Sequence, residues 1–535
     1  MFSSIGWLIF IDKIKNSSIS FRTMPAMLVF LAAIFLTLVV PPVVIPILTF
    51  FLIIRKVVEF GARIFKKSEF LEIVDPFSAM FATRPVYSRK SFTTVNILEI
   101  DRPTIPLHKL IADFEEKVLH AVQDASASRV LYPELKCKLV KWWGYYFWET
   151  CETFNLASQI KYLEDQDFPK VNLANTENWN KLVNYVSTER LWQEGDPVWE
   201  MLVMEKVTTE RGVDKSLIIW RCSHVLCDGW SMLKMAARLF DTAVIPPAQQ
   251  IPTQRPSYWP GIISLCTLPY DFVKHQLHVE SVRALIPPPR QTDSTSCSQQ
   301  DEIFSKTVPT LAIADLKRIK DTYQVDFLSL LLAGVTSAIR EAYRSNSGHV
   351  TDAQIKVGFV LAVPNHPEKL CNHLSTGTIL LPIGVESSAD RLRFIGDRIR
   401  ALRSTRLPQL RVYLLRAVGS LPITILNLVG KNSRPRASVV FNNVIGPQEK
   451  LHLYGNDVTV PYVGVNMAGN VNTGFAHDAC FFTHGGAGTL RVSGFGDYFH
   501  RPDQDAGKFL DSCNHEWNKL FDTVDRNALS PLVQD

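Results

Sequence analysis

Residues Leu217–Leu239 read LIIWRCSHVLCDGWSMLKMAARL. The run Leu217–Cys222 is strand-like, and Gly229–Leu239 carries Met232, Met235, Ala236 and Leu239 at helical spacing. Between them lies Ser223-His224-Val225-Leu226-Cys227-Asp228-Gly229. An imidazole is therefore expected at the mouth of a strand, where loop residues face a cleft. Imidazole titrates near neutrality, so a histidine placed there can take a proton from a hydroxyl. Asp228 stands at the N-cap position, able to bond the free amides of the helix start or an arginine. Gly229 is expected to allow the tight turn. The spacing H-x-x-x-D-G is by itself a weak signal, and a satisfied structural histidine is the competing reading.

Outward from this stretch the chain alternates strand and helix. Val95–Ile100 and Val198–Val207 read as strands, and Leu107–Leu119 has helical apolar spacing. In the second half a helical pattern runs from Leu311 to Tyr343. Strand-like runs follow at Ile355–Val363, Thr378–Pro382, Ala437–Phe441 and Thr489–Gly494. Two proline-rich polar stretches punctuate the middle, Ile245–Pro256 and Ile286–Glu302. The second joins three prolines to a Ser/Thr/Gln run that cannot build a core, so the lobe boundary is placed there. The apolar, aromatic Ser257–Leu277 between them can pack on a lobe or touch a membrane. The expected organisation is an N-terminal segment (1–23), a membrane segment (24–54), a basic juxtamembrane helix (55–74), a first lobe (75–285), a linker (286–302) and a second lobe (303–535). The fold class is α/β or α+β, in two lobes of related size.

The chain has 535 residues, 46% hydrophobic and 20% charged, which fits a folded protein of two to four units and excludes a mainly disordered chain. Lys+Arg 57 against Asp+Glu 52 leaves +5 over this length. No basic stripe interleaves with aromatics, so nucleic acid is not expected as a partner. The nine cysteines are scattered without a CxxC pair, which reads as a reduced, cytosol-facing protein without a disulfide framework or a zinc site.

Met24–Ile54 reads MPAMLVFLAAIFLTLVVPPVVIPILTFFLII and carries no charge. A membrane span needs about 20 apolar residues, and a signal-peptide core about 7–15. The run is too long and starts too late for a cleaved signal. Pro41, Pro42 and Pro46 are expected to kink or break a helix, leaving a single kinked span or a re-entrant hairpin with arms Ala26–Val40 and Val43–Ile54. Lys13, Lys15 and Arg22 precede the run. The stronger cluster, Arg55, Lys56, Arg63, Lys66 and Lys67, follows it and places the bulk of the protein on the cytosolic side. Val57, Val58, Phe60, Ile64 and Phe65 alternate with these cations, as in an interfacial helix or an ordinary cytosolic one.

Several further blocks stand in a fixed order around the histidine. Upstream are Ser187-Thr188-Glu189-Arg190-Leu191, Asp196-Pro197-Val198-Trp199-Glu200-Met201 and Met204-Glu205-Lys206. Downstream are Asn372-His373-Leu374-Ser375-Thr376-Gly377, Leu380-Leu381-Pro382-Ile383-Gly384-Val385 and Phe441-Asn442-Asn443-Val444-Ile445-Gly446-Pro447. In this order, from about Asp75 to about Leu520, the chain resembles the wax ester synthase/acyl-CoA:diacylglycerol acyltransferase family, with its HHxxxDG motif, PLW block and NVPGP block. The resemblance implies two chloramphenicol-acetyltransferase-like lobes, with the motif histidine in a tunnel at their interface. It implies transfer of a fatty acyl group from acyl-CoA to a fatty alcohol or a diacylglycerol, with no cofactor beyond the acyl-CoA co-substrate. His224 would be the general base, Asp228 mainly structural, and Asn443, with Gly446 and Pro447, near the tunnel. The sequence departs from the pattern at Ser223, where the family has its first histidine, at Val198 in the PLW block, and at Ile445 in place of the block's proline. The expected setting is a membrane of the endoplasmic reticulum with the lobes facing the cytosol. The rival readings are a lipid-binding or scaffold relative without catalysis, and an acyltransferase of the same fold with another acceptor, such as an amine or sterol.

Other residues carry weaker signals. His477-Asp478 and His484-Gly485-Gly486 lack the further ligands a zinc site needs and read as turns between strands. Cys222 and Cys227 flank the motif as nucleophile candidates or small packing residues. Trp142, Trp143, Tyr145, Tyr146, Phe147 and Trp148 form an aromatic cluster, read as core or as the wall of an acyl channel.

Overall fold

The structure is a computed structural model that describes residues 26–529, except 84, 90, 123–129, 165, 170–171, 242–267, 277, 280–302, 348–349, 351–353, 432–438, 448, 466–476 and 496–501. The proline-rich stretches 245–256 and 286–302, the residues before 26 and most of 257–277 lie outside the described residues.

The β-branched and aromatic runs pair into three sheets. A small antiparallel sheet joins β1 (Phe70–Ile73), β4 (Tyr145–Thr150) and β3 (Cys137–Trp142). The sheet of the first lobe contains β2 (Thr93–Ile100), β5 (Ile160–Tyr162), β6 (Trp199–Thr209) and β7 (Gly212–Ser223), with β2, β7 and β6 paired antiparallel in that order. After β7 comes α2 (Gly229–Leu239), its Met232, Met235 and Leu239 buried in the lobe core, as the spacing predicts. The sheet of the second lobe has the order β10 (Leu374–Pro382), β9 (Gln354–Ala362), β11 (Val439–Ile445), β14 (His477–His484), β15 (Ala487–Phe495) and β8 (Ile303–Pro309), with β11 parallel to both neighbours. Mixed sheets carrying helices on two lobes are the α/β arrangement expected.

The structure refines the lobe boundary. β12 (Leu451–Leu453) and β13 (Asn456–Val465) leave the second lobe and extend the first lobe's sheet, β13 pairing antiparallel with β2. Val458 and Tyr462 are buried there, so the first sheet buries its edge only with help from the second half of the chain. Residues 303–535 are thus not one contiguous lobe.

Two other expectations change. The helical pattern from Leu311 to Tyr343 splits into α3 (Ile313–Thr322) and α4 (Phe327–Ser347), bent by 99°, because Gln324 takes a left-handed φ of 51° and ends the first helix. Leu330, Leu331, Leu332 and Ala333 of α4 are fully buried, so this apolar pair is core. The aromatic cluster is a hairpin, β3 and β4 joined by Trp143 (φ 46°) and Gly144 (φ 81°) in the primed-turn geometry that matches strand twist. Tyr145, Phe147 and Trp148 are buried, whereas Trp143 is exposed at the tip.

The apolar run and the basic stretch after it form one helix, α1 (Ala26–Phe65), which runs through Pro41, Pro42 and Pro46 without the expected break. Its last turns dock on the small sheet: Val58 and Ala62 pack with Tyr145 and Phe147. Arg55, the first charge after the apolar run, is buried, donates to the carbonyl of Val74 and lies over the Tyr145 ring. Many side chains in 26–43 lie outside the described residues. Counted over the described residues alone, no single helix is long and apolar enough to cross a membrane.

Candidate active site

β7 delivers the motif to the junction of the lobes. Its last residue, Ser223, donates its amide to Val198 O (2.8 Å), so the Pro197-Val198-Trp199 block fixes the strand end. Trp199 anchors that block from within the core, its indole donating to Leu135 O (2.8 Å). The upstream blocks form a buried charge cluster behind the strand. Glu200 accepts from Arg190 (2.9 Å) and Arg221 (2.7 Å), and Arg221 stacks on Trp192 (4.3 Å). These residues brace β6 and β7; none is placed as a reacting group.

Past the strand the chain turns sharply, with Leu226 N donating to Ser223 O (2.9 Å). Ser223 is buried, and its hydroxyl accepts from Val225 N (3.4 Å). Serine in place of the family's first histidine thus serves the turn.

His224 is buried. Its amide donates to Phe92 O (2.7 Å), and its carbonyl accepts from Asn372 Nδ2 (2.7 Å), which also donates to Ser78 Oγ (2.9 Å). Phe81 lies flat against the imidazole, with centroids 3.9 Å apart and planes 4° apart, so one ring face is sealed. Nδ1 is buried without a hydrogen-bond partner. Burial pushes the imidazole below its ordinary 6.5, while the Asp228 charge, its own carbonyl and Asn372 pull the other way. The ring is therefore held neutral, the form in which it can accept a proton.

Asp228 caps α2, as read from the sequence, accepting from Ser231 N (2.9 Å). It also does more. Its other oxygen accepts from His373 N (2.9 Å), its amide donates to Cys371 O (3.2 Å), and His366 Nε2 lies 3.1 Å away. Burial opposes its charge, but His366 and the two amides hold its carboxyl below the ordinary 3.8. All these partners but Ser231 come from the loop 364–373 of the second lobe.

Gly229 corrects an expectation. Its φ is not left-handed, it is exposed, and a Cβ there would meet nothing within 4 Å. The turn does not need glycine; the position is simply open. Gly446 needs glycine for another reason: a Cβ would sit 2.1 Å from Thr483 O, and its amide donates to Thr483 Oγ1 (3.0 Å). Pro447 O accepts from Gly485 N (3.0 Å), closing the end of β11 on β14. Ile445 continues the ladder opposite Thr483, which a proline would not. Asn443 is on β11 with Oδ1 buried and unpartnered, while its neighbour Asn442 is taken up by Asp478 (3.0 Å).

Among the weaker candidates, Cys222 and Cys227 are buried with sulfurs 3.9 Å apart. The neighbouring Cys222 thiol and burial push Cys227 well up, so it stays a thiol and packs. Asp478 pairs with Arg491, burial lowers His484, and the His477 side chain lies outside the described residues. Among the described residues no three His, Cys, Asp or Glu side chains converge as a metal would require. Sequence reasoning missed Phe81 and His366. Neither belongs to a periodic pattern, and only the polar, proline-flanked loop after β9 hints at the second.

The family model for the WS/DGAT C-terminal domain matches residues 370–476. The chain carries a WS/DGAT C-terminal domain. The match bears out the family resemblance read from the motif blocks, and it includes Asn372, which grips His224, and Asn443. Solved structures share the two-lobed fold. The trichothecene 15-O-acetyltransferase TRI3 from Fusarium sporotrichioides is similar at TM-score 0.54 and 11% identity, covering 84% of this chain and 95% of that one. Polyketide synthase associated protein 5 from Mycobacterium tuberculosis matches at 0.50 and 12%, covering 84% and 98%. The wax ester synthase/diacylglycerol acyltransferase from Marinobacter aquaeolei VT8 matches at 0.48 and 14%, covering 85% and 100%. No curated protein matches the chain by sequence. The domain supports acyl transfer as the class of chemistry.

Proposed function

We propose that this protein is a membrane-anchored O-acyltransferase that moves a fatty acyl group from acyl-CoA to a fatty alcohol or a diacylglycerol, making wax ester or triacylglycerol. The observation that carries the reading is His224: a buried imidazole, kept neutral by its surroundings, at the end of β7, with its carbonyl gripped by Asn372 of the WS/DGAT domain. In the reaction His224 takes the hydroxyl proton as the alcohol oxygen attacks the thioester carbonyl. The tetrahedral intermediate then collapses, the C–S bond breaks, and the same proton passes to the leaving thiolate. A positioned base supplies about 10²–10⁴-fold. Asn443, a buried amide lacking a partner for Oδ1, is the proposed donor to the oxyanion once its amide is turned with nitrogen toward the site. Asp228 shapes the mouth, Gly229 leaves open space beside it, and no acyl-enzyme is required.

The anchor is α1. Its uncharged 26–54 portion is about 43 Å long at 1.5 Å per residue, against a hydrocarbon core of about 30 Å. Leu38, Ile45, Phe50 and Ile53 are each more than half exposed, an apolar surface that water does not favour. Lipid acceptors dissolve in the bilayer and CoA in the cytosol, so lobes held at an endoplasmic reticulum surface reach both.

The test incubates detergent-solubilised protein with palmitoyl-CoA and a panel of long-chain alcohols, diacylglycerol, a sterol and an amine. CoA thiol release that depends on an alcohol or diacylglycerol, matched by ester, supports the reading. Release with the amine or sterol alone would replace the acceptor. No acceptor-dependent release from folded protein would leave a lipid-binding relative.

A further inference from the structure

One face of α2 holds a single loop of the other lobe. Asp228, Ser231 and Lys234 are spaced three apart, so they line one side of the helix. Asp228 N and Ser231 Oγ donate to Cys371 O (3.2 and 3.1 Å). Lys234 Nζ donates to the carbonyls of His366 (3.3 Å) and Pro367 (3.2 Å) and pairs with Glu368 (2.7 Å). At the centre is His366, its side chain only 4% exposed.

The ring has a partner at each nitrogen. Nδ1 lies 2.8 Å from Pro367 O, and Nε2 lies 3.1 and 3.2 Å from the two oxygens of Asp228. A carbonyl and a carboxylate only accept, so each is a partner for a ring N–H. The other polar groups facing the ring are Ser231 Oγ, 3.5 Å from Nε2, and His373, whose ring lies edge-on at 5.6 Å. Lys234 and Glu368 neutralise one another beside it. Six residues further along the same loop, Asn372 holds the His224 carbonyl.

We infer that His366 is a positioning residue: held between Pro367 O and the Asp228 carboxylate, it latches the 364–373 loop to Asp228 and through that loop fixes the backbone of His224. It touches no reacting atom. The latch joins the lobes across the site, so its loss loosens the motif turn on one side and Asn372 on the other.

The test uses the full-length protein and the variants His366→Gln, His366→Arg, Asp228→Asn and the double Asp228→Asn/His366→Gln. Its first arm, amide hydrogen exchange at 223–231 and 364–374, needs no substrate. His366→Gln is expected to speed exchange there about tenfold or more, as the loss of a hydrogen bond to a charged group implies, with the distant helix 502–529 unchanged. The double variant should be no faster than either single one. The kinetic arm rests on the acyl-transfer reading. There His366→Gln should lower kcat about tenfold with KM for acyl-CoA little changed, and His366→Arg, a strong donor to the same carboxylate, should restore most of the loss. Unchanged exchange in His366→Gln, an additive double variant, or a kcat in His366→Arg as low as in His366→Gln would each overturn the latch. A wild type without acyl transfer would sink the proposed function instead, and exchange would still decide this one.

Discussion

At the scale of single residues, the site sets a buried imidazole beside positions that are merely open. His224 is depressed by burial, so the pH dependence has a definite sign. Its unfolded value is near 6.5. Between that value and the lower folded one the unfolded chain binds the extra proton, so stability falls as pH drops through this window, and the neutral base is lost only as pH falls through the lower folded value. The acid limb of kcat/KM is therefore expected to have its midpoint below pH 6.5; a midpoint above it would contradict a buried neutral base. Gly229→Ala should leave stability within about 1 kcal/mol of wild type by thermal unfolding, because nothing occupies the space beside it. A fall in kcat/KM at unchanged stability would then mean that substrate fills that space. The motif itself was legible in the sequence: strand, histidine, cap and helix fall where LIIWRC-S-H-VLC-D-G places them. Phe81 and His366 were not, because a ring stacked on the His224 imidazole and a histidine buried by another lobe leave no periodicity in their own segments.

Elements carry the next set of consequences. Gly446 closes β11 onto β14 with no room for a methyl group, so Gly446→Ala should cost about 1–3 kcal/mol in chemical denaturation and displace the end of the strand that bears Asn443. Destabilisation below about 0.5 kcal/mol would show that the strands part easily. Near the small sheet, burial pushes the Glu134 carboxyl up to about 7. Between its unfolded 4.5 and that value the folded protein binds the extra proton, so this residue weakens the fold as pH rises through the window. Glu134→Gln should raise Tm at pH 8 and give no comparable gain at pH 5. Element types came readily from the sequence, while two features did not. The aromatic hairpin is hidden because Trp and Tyr fill both its faces, and the return of β12 and β13 is hidden because pairing across several hundred residues has no local signature.

For the whole molecule the question is how two lobes and one long helix act together. The loop 364–373 ties the second lobe to Asp228, the return strands tie it to β2, and α1 docks on the small sheet. A chain beginning at Ile54 keeps Arg55, Val58 and Ala62 in their docked positions. It is expected to fold and to remain unbound when floated with phospholipid vesicles, whereas the full chain floats with them. Equal flotation of both would place membrane binding elsewhere. The central claim is that His224 is the base of an acyl transfer, and the most direct test compares wild type with His224→Ala in ester formation from palmitoyl-CoA and the preferred acceptor, both proteins shown to be folded by their thermal unfolding. The account predicts a fall in kcat of about 10²–10⁴-fold. Equal rates in the two proteins would contradict it.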